Sequence, residues 1–249
     1  MSVEDIKLVL KGIFEPAGFE VYPFKIGWYN KNVLKIFKFD LPEDTIAFII
    51  ISTPCMFEKA LIPFVCREQC TGAKDPIDEC VGHYFSEAKE AFPSHDILAI
   101  QDFEMHPGTR RAKVLVQTAG HVAGAAYYYQ RADIKEDPWK EKQRIYGVSM
   151  HPEFGGWFAL RGVLIFKDLQ DPDLPFIPSK DVLDTDEKKI NVLEKFNGNW
   201  KDWTYRDVVE PKERYSEMQK NYFATQPNQR KEIIEAMRKS LDHNDQCDH

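Results

Sequence analysis

The run His151-Pro-Glu-Phe-Gly-Gly-Trp-Phe-Ala-Leu-Arg161-Gly-Val constrains this chain more than any other stretch. Its apolar residues mark a strand entering a core, and the paired glycines mark a bend at the strand's mouth. A single arginine stands inside the apolar stretch. A guanidinium carried into a core costs several kcal/mol unless an anion meets it. Two partners are open for Arg161: an internal carboxylate, the usual fate of buried charge, or the anionic group of a ligand.

Composition narrows the class. The chain has 249 residues, 43% of them hydrophobic, with 17 Phe, enough for one sizeable core. A net charge of −7 gives no basic field for phosphate backbones, which argues against a general nucleic-acid binder. No apolar run reaches the length of a membrane span, and the acidic, amphipathic Met1-Ser-Val-Glu-Asp start lacks a secretory pattern. Five cysteines (Cys55, Cys66, Cys70, Cys80, Cys247) form no Cys-x-x-Cys and are odd in number. They read as reduced intracellular thiols, and the expected compartment is the cytoplasm.

Periodicity predicts one α+β domain over residues 1–241, with a frayed tail at 242–249. Ile6, Val9, Leu10 and Ile13 recur at helical spacing. Residues 20–29, the apolar run Thr45-Ile-Ala-Phe-Ile-Ile-Ile-Ser52, and residues 97–103, 114–116, 144–150 and 157–166 read as strands. Asp75 and Pro76 have the chemistry of a helix N-cap and first turn, opening a helix to Phe92. A further helix is expected from Thr118 to Arg131, and others over 57–64, 186–196, 211–223 and 229–241. Residues 168–178, rich in proline, read as a loop.

Three constellations carry possible chemistry. In the expected 118–131 helix, Gly120 and Gly124 lie four apart among alanines, which predicts a face closely approached by a partner helix or a flat ligand. Tyr127, Tyr128 and Tyr129 follow, adding aromatic surface with polar tips. His121 invites a metal-ligand reading, but Ala119 stands where an orienting carboxylate would be needed, so a structural or polar-contact role is favoured. Arg161, Arg206 and Arg230 lie in three separate blocks; arginine forks grip carboxylates, and for Arg206 the nearby Asp202, Asp207 and Glu213 offer ordinary pairing instead. Dinucleotide fingerprints, P-loops, zinc-protease motifs and nucleophile elbows are absent. His151 finds no second metal ligand at useful spacing, and Asp102 with Glu104 reads as a solvated face.

The 151–163 block, together with Gln117-Thr-Ala-Gly-His121-Val-Ala-Gly-Ala-Ala-Tyr127-Tyr-Tyr129-Gln-Arg131, resembles the methylmalonic aciduria and homocystinuria type C (CblC) family of cobalamin-processing proteins. The resemblance continues through Phe19-Glu-Val-Tyr-Pro-Phe, Ser52-Thr-Pro-Cys-Met-Phe, Asp202-Trp-Thr-Tyr-Arg-Asp207 and Glu213-Arg-Tyr-Ser-Glu217, over roughly residues 14–230. It implies a flavin nitroreductase-like fold, with a central antiparallel sheet flanked by helices. It implies an enzyme that removes the upper axial ligand of cobalamins: glutathione-dependent dealkylation of alkylcobalamins and reductive decyanation of cyanocobalamin, with cobalamin bound base-off. The rival readings are a non-catalytic cobalamin chaperone and a flavin reductase. The resemblance assigns cobalamin contacts to Asp102, Val114, Leu115, Val116, Gln117, Tyr128, Tyr129, Gln130, Ser149 and Leu160, and glutathione contacts to Arg161, Arg206 and Arg230. No side chain is assigned as catalytic nucleophile and no protein metal site is expected. FMN or FAD is a candidate electron donor. The implied partners are a type D family trafficking protein and methionine synthase, with a monomer or ligand-induced homodimer. Two departures stand out: Ser149 stands where some relatives carry cysteine, and Glu153 where some carry a basic residue.

Overall fold

The computed structural model describes residues 1–67, 75–226 and 229–244. Four antiparallel strands form the main sheet in the order β1 (Phe19–Lys25), β2 (Thr45–Ser52), β6 (Ala159–Gln170), β3 (Ile97–Gln101). β2 matches the expected apolar run residue for residue, and every residue in it is buried. Side chains alternate across a strand, so Ile46, Phe48 and Ile50 enter one core while Ala47, Ile49 and Ile51 enter another. A run without polar alternation is what a strand covered on both faces requires.

The first core is covered by α1 (Val3–Phe14) and α4 (Pro76–Glu90). α1 buries Val3, Ile6, Leu10 and Phe14; Val9, expected on the buried stripe, is 40% exposed. Ser2 and Asp5 close a capping box at its start. Asp75 caps α4 through Ile77 N–H, with Pro76 in the first turn as predicted. A π-helical turn at Phe57–Leu61 leads into α3 (Ile62–Cys66) on the same side. α7 (Glu217–Ala224) and α8 (Lys231–Asn244) close that layer through Tyr222 and Met237.

The second face is covered by α2 (Ile26–Lys31) and α5 (Val116–Val122). A smaller two-stranded sheet, β4 (Tyr127–Tyr129) with β5 (Val148–Met150), packs with α6 (Asp186–Asn199) around a third core. The architecture is thus mixed α+β, an antiparallel sheet flanked by helices.

Several boundaries differ from the periodicity. The 20–29 strand ends at Lys25, where the chain turns into α2. Residues 114–116 form no strand, because α5 already begins at Val116. α5 stops at Val122 instead of running to Arg131, and Gly124 is not on a helical face at all. It adopts φ +78°, and a Cβ there would lie 2.6 Å from the Ile177 carbonyl, so Gly124 terminates the helix. Gly120 keeps the predicted close approach, but its neighbour is the Leu160 side chain. β6 runs to Gln170, into the expected loop, and α8 continues to Asn244, past the expected start of fraying. Cys70 and Cys247 lie outside the described residues; Cys55 is a free thiol.

Candidate functional site

A cavity of ≈ 390 Å³ opens between the segment after α2, helix α5 and strand β4. Leu115, Gln117, Tyr128 and Gln130 line it, four of the residues singled out in the sequence, together with Thr118, His121 and Asp133. Asn32, Val33, Leu34 and Phe37 form the opposite wall. Sequence reading missed that wall, in which Leu34 is a large apolar residue held 71% exposed at the surface. Ser149 is paired with Tyr128 across the β4–β5 ladder. Opposite residues of an antiparallel pair share a face, so Ser149 lies on the cavity side, and its buried hydroxyl has no hydrogen-bond partner among the described residues.

Val114, Val116 and Tyr129 behave differently from the contacts assigned to them. Their side chains are buried in the cores. The Tyr129 hydroxyl donates to Asp181 at 2.7 Å and accepts from the N–H groups of Val182 and Leu183. Leu160 packs over Gly120 beneath α5. These side chains are committed to packing.

His121 faces the cavity with its chemistry already fixed. Nδ1 accepts the Tyr128 N–H at 3.2 Å, and the ring meets Tyr127 edge-on at 4.8 Å. Burial lowers its pKa, with Asp133 pulling the other way. A neutral imidazole whose Nδ1 lone pair accepts a hydrogen bond carries its proton on Nε2, so neither nitrogen offers a free lone pair to a metal.

Arg161 stands at a break in the sheet. Ile50 pairs with Gly162 and Ile51 with Leu160, which leaves Arg161 as the extra residue of a β-bulge. Bulges re-aim side chains beside functional sites. Its carbonyl accepts the Asp102 N–H at 3.1 Å, and its Nε donates to Ser52 Oγ at 2.8 Å. Among the described residues it makes no ion pair, so the internal salt bridge open to it in the sequence is not formed. Asp102, just beyond β3, is exposed. Loss of water raises its carboxyl above the ordinary range, and the field of Arg161 works in the opposite direction.

Arg206 also lacks the carboxylate that sequence proximity offers. Asp207 is taken by Trp157 Nε1 and Arg214, and Asp202 by Thr204. The Arg206 guanidinium instead sits among Trp157, Trp203, Tyr205 and Tyr215, 5.1–5.8 Å from each ring centroid. Nη1 donates to the Gly156 carbonyl, and the buried Nε has no partner among the described residues. Trp203 holds φ 63°, an unusual conformation for a bulky residue. Gly155 and Gly156 find their reason here: a Cβ on Gly155 would lie 2.6 Å from the Arg206 carbonyl, and one on Gly156 would lie 2.8 Å from Arg206 Cα. The glycine pair serves a close approach of residues 206–209 more than a bend into β6.

Arg230 is paired. Nη1 meets Asp75 Oδ2 at 2.6 Å, Nε donates to the carbonyls of Tyr222 and Thr225, and the guanidinium lies over the Tyr222 ring at 4.5 Å. One segment nevertheless runs past the surroundings of all three arginines. Ser52 holds Arg161, Phe57 packs on Tyr222 beneath Arg230, and Glu58 accepts from Ser216, next to the Tyr215 ring that faces Arg206.

Two arginines without a carboxylate ion pair, and a separate cavity lined by amides and a phenol with an unserved hydroxyl on its side, are the polar features that this α+β fold assembles. The sequence profile of the methylmalonic aciduria and homocystinuria type C family matches residues 18–234, and the chain belongs to that family. A chicken (Gallus gallus) protein named cyanocobalamin reductase / alkylcobalamin dealkylase is 52% identical over 90% of this chain and 94% of its own length. A human protein of the same name is 48% identical over 94% of this chain and 82% of its own. The crystal structure of a C. elegans B12-trafficking protein CblC superposes with a TM-score of 0.86, at 33% identity, covering 94% of this chain and 96% of that one. No helix among the described residues is long and apolar enough to cross a membrane.

Proposed function

We propose that this chain removes the upper axial ligand of cobalamins, as a cyanocobalamin reductase and alkylcobalamin dealkylase. The observation that carries the reading is the high identity, over nearly the whole chain, to proteins of that name; a polar cavity and two arginines without carboxylate partners are in keeping with it. Cobalamin is the substrate. Its corrin periphery carries amides, which suit Gln117, Thr118, Tyr128, Gln130 and the unpartnered Ser149 hydroxyl. Any contact from Val114, Val116 or Tyr129 runs through their main chain. His121 has no lone pair for cobalt, which supports binding without this histidine on the metal; the nucleotide base is off the metal in this reading.

Glutathione is the anionic second ligand. Its carboxylates fit the forks of Arg161 and Arg206, while Arg230 supports the pocket from its bond with Asp75. The thiolate attacks the alkyl carbon; the carbon–cobalt pair returns to the metal, giving cob(I)alamin and a thioether. No side chain need act as nucleophile. The protein holds the sulfur in line and keeps water out. Decyanation requires electrons from outside the chain, supplied by a thiol or reduced flavin (FMN or FAD), as a nitroreductase-like fold would allow. The expected setting is cytoplasmic, with hand-over of the product to a type D family trafficking protein and methionine synthase, by a monomer or a ligand-induced dimer.

An anaerobic visible spectrum of the protein with methylcobalamin and glutathione tests this reading. Growth of the cob(I)alamin spectrum with stoichiometric S-methylglutathione is expected. Tight binding with the alkyl group intact would leave a chaperone, and a tightly bound yellow flavin turning over nitroaromatics without cobalamin would leave a flavin reductase.

A further inference from the structure

His151 opens the block that most constrains the fold, yet it touches neither the cavity nor an arginine. Its ring is buried, stacked on Phe154 with centroids 4.7 Å apart and tilted against Phe158. Nδ1 accepts two main-chain donors, the N–H of Glu153 at 3.1 Å and of Phe154 at 3.2 Å. With that lone pair engaged, the ring proton of the neutral tautomer lies on Nε2, which faces Glu20 Oε2 at 3.3 Å, off the line of a full hydrogen bond. Tyr22 donates to the same oxygen at 2.6 Å. Burial opposes the charge on Glu20, but His151 and Tyr22 outweigh it and hold the carboxyl below its ordinary range. The His151 main chain also exchanges two hydrogen bonds with Gly155, at 2.8 and 3.0 Å.

The turn 151–155 is therefore wound around one imidazole, and that imidazole is anchored to β1. The other end of the turn sets Arg206. Gly156 N–H donates to the Arg206 carbonyl at 3.0 Å, and Arg206 Nη1 donates back to the Gly156 carbonyl. The Glu153 carbonyl accepts Lys212 N–H at 2.8 Å, tying the turn to the chain beyond Arg206. Replacing the imidazole by a group without an acceptor at Nδ1 takes away the acceptor that the part-buried N–H groups of Glu153 and Phe154 share, a cost that loosens the turn.

We propose that His151 is a positioning residue for Arg206: its imidazole fixes the turn 151–156, and the turn fixes the guanidinium that receives a glutathione carboxylate. The proposal rests on the reading of Arg206 as a thiol contact. The test compares His151→Gln, His151→Asn and Arg206→Gln. The Asn carbonyl oxygen stands where Nδ1 stood and can serve both N–H groups; the Gln oxygen stands at the Nε2 position and cannot. In cobalamin-loaded protein, Arg206→Gln and His151→Gln should each weaken glutathione roughly 10-fold or more, the cost of about one charged or two neutral hydrogen bonds. His151→Asn should return affinity to within about threefold of the unmodified chain, and cobalamin affinity should stay level in all three. If Arg206→Gln weakens the thiol but His151→Gln does not, or if Asn fails to rescue, the positioning role is overturned. If Arg206→Gln binds glutathione like the unmodified chain, the arginine reading fails and this inference with it. Hydrogen exchange on the unmodified protein gives a check that needs no variant to fold: glutathione should slow exchange at residues 153–156, and unchanged exchange there would also overturn the proposal.

Discussion

The main-chain N–H of Tyr128 donates to Nδ1 of His121, and this one bond decides what the histidine lining the cavity can do. With the proton on Nε2, the ring can donate a hydrogen bond but cannot ligate cobalt. Cobalamin bound to His121→Gln should show the same visible spectrum as cobalamin bound to the unmodified chain, whereas a cobalt ligand would shift it on removal.

The same residue predicts a pH dependence. Burial lowers the His121 pKa from 6.5, so on acidification the unfolded chain takes up a proton before the folded one does. The stabilising contribution is present above pH 6.5 and is lost as pH falls toward the depressed folded value. Melting temperatures measured from pH 7 downward should fall more steeply for the unmodified chain than for His121→Gln; parallel curves would contradict the assignment.

Asp102 works with the opposite sign. Desolvation raises its carboxyl, with Arg161 opposing, so the folded chain keeps a proton that the unfolded chain has lost. Stability attributable to this group declines as pH rises from the ordinary carboxylate value of 3.8 through the raised one. Asp102→Asn should melt higher than the unmodified chain at neutral pH and no higher under strongly acid conditions. A lower melting temperature at neutral pH would mean that attraction to Arg161 outweighs the loss of water.

Arg230 and Arg161 should separate in their effects. Arg230 joins the α7–α8 junction to the N-cap of α4 through Asp75 and two carbonyls, so Arg230→Gln should cost about 1–3 kcal/mol of stability. Its effect on glutathione affinity should be smaller than that of Arg161→Gln. Denaturant unfolding together with thiol titration of both variants measures the contrast; equal stability and a large affinity loss at Arg230 would reverse the roles.

The cysteines should be dispensable for decyanation. No Cys-x-x-Cys exists in the sequence to cycle between dithiol and disulfide. A folded variant lacking all five cysteines should decyanate cyanocobalamin with external thiol or reduced flavin. Loss of turnover with intact cobalamin binding would place the electron path in the protein.

Local chemistry made much of this legible. β2 was readable because burial on both faces leaves no polar alternation, and the start of α4 because Asp75 and Pro76 act within one turn. The end of α5 was not, since it depends on Ile177 reaching Gly124 from a distant loop. Gln117 on α5 and Tyr128 on β4 came from resemblance and line one cavity, but the wall at residues 32–37 emerged only in three dimensions. Arginine partners were the least legible of all. Asp75 lies 155 residues from Arg230, while the carboxylates adjacent to Arg206 in sequence turn elsewhere.

The central claim is that the arginine on the β6 bulge holds the thiol in line with the cobalt–carbon bond. Titrating glutathione anaerobically into methylcobalamin-loaded protein, for the unmodified chain and for Arg161→Gln, tests it directly. A bidentate charged contact contributes about 1.5–3 kcal/mol, so the variant should bind glutathione roughly 10- to 150-fold more weakly and dealkylate more slowly, with cobalamin affinity far less affected. Unchanged thiol affinity and rate, accompanied by a lower melting temperature, would assign Arg161 to the fold and contradict the account.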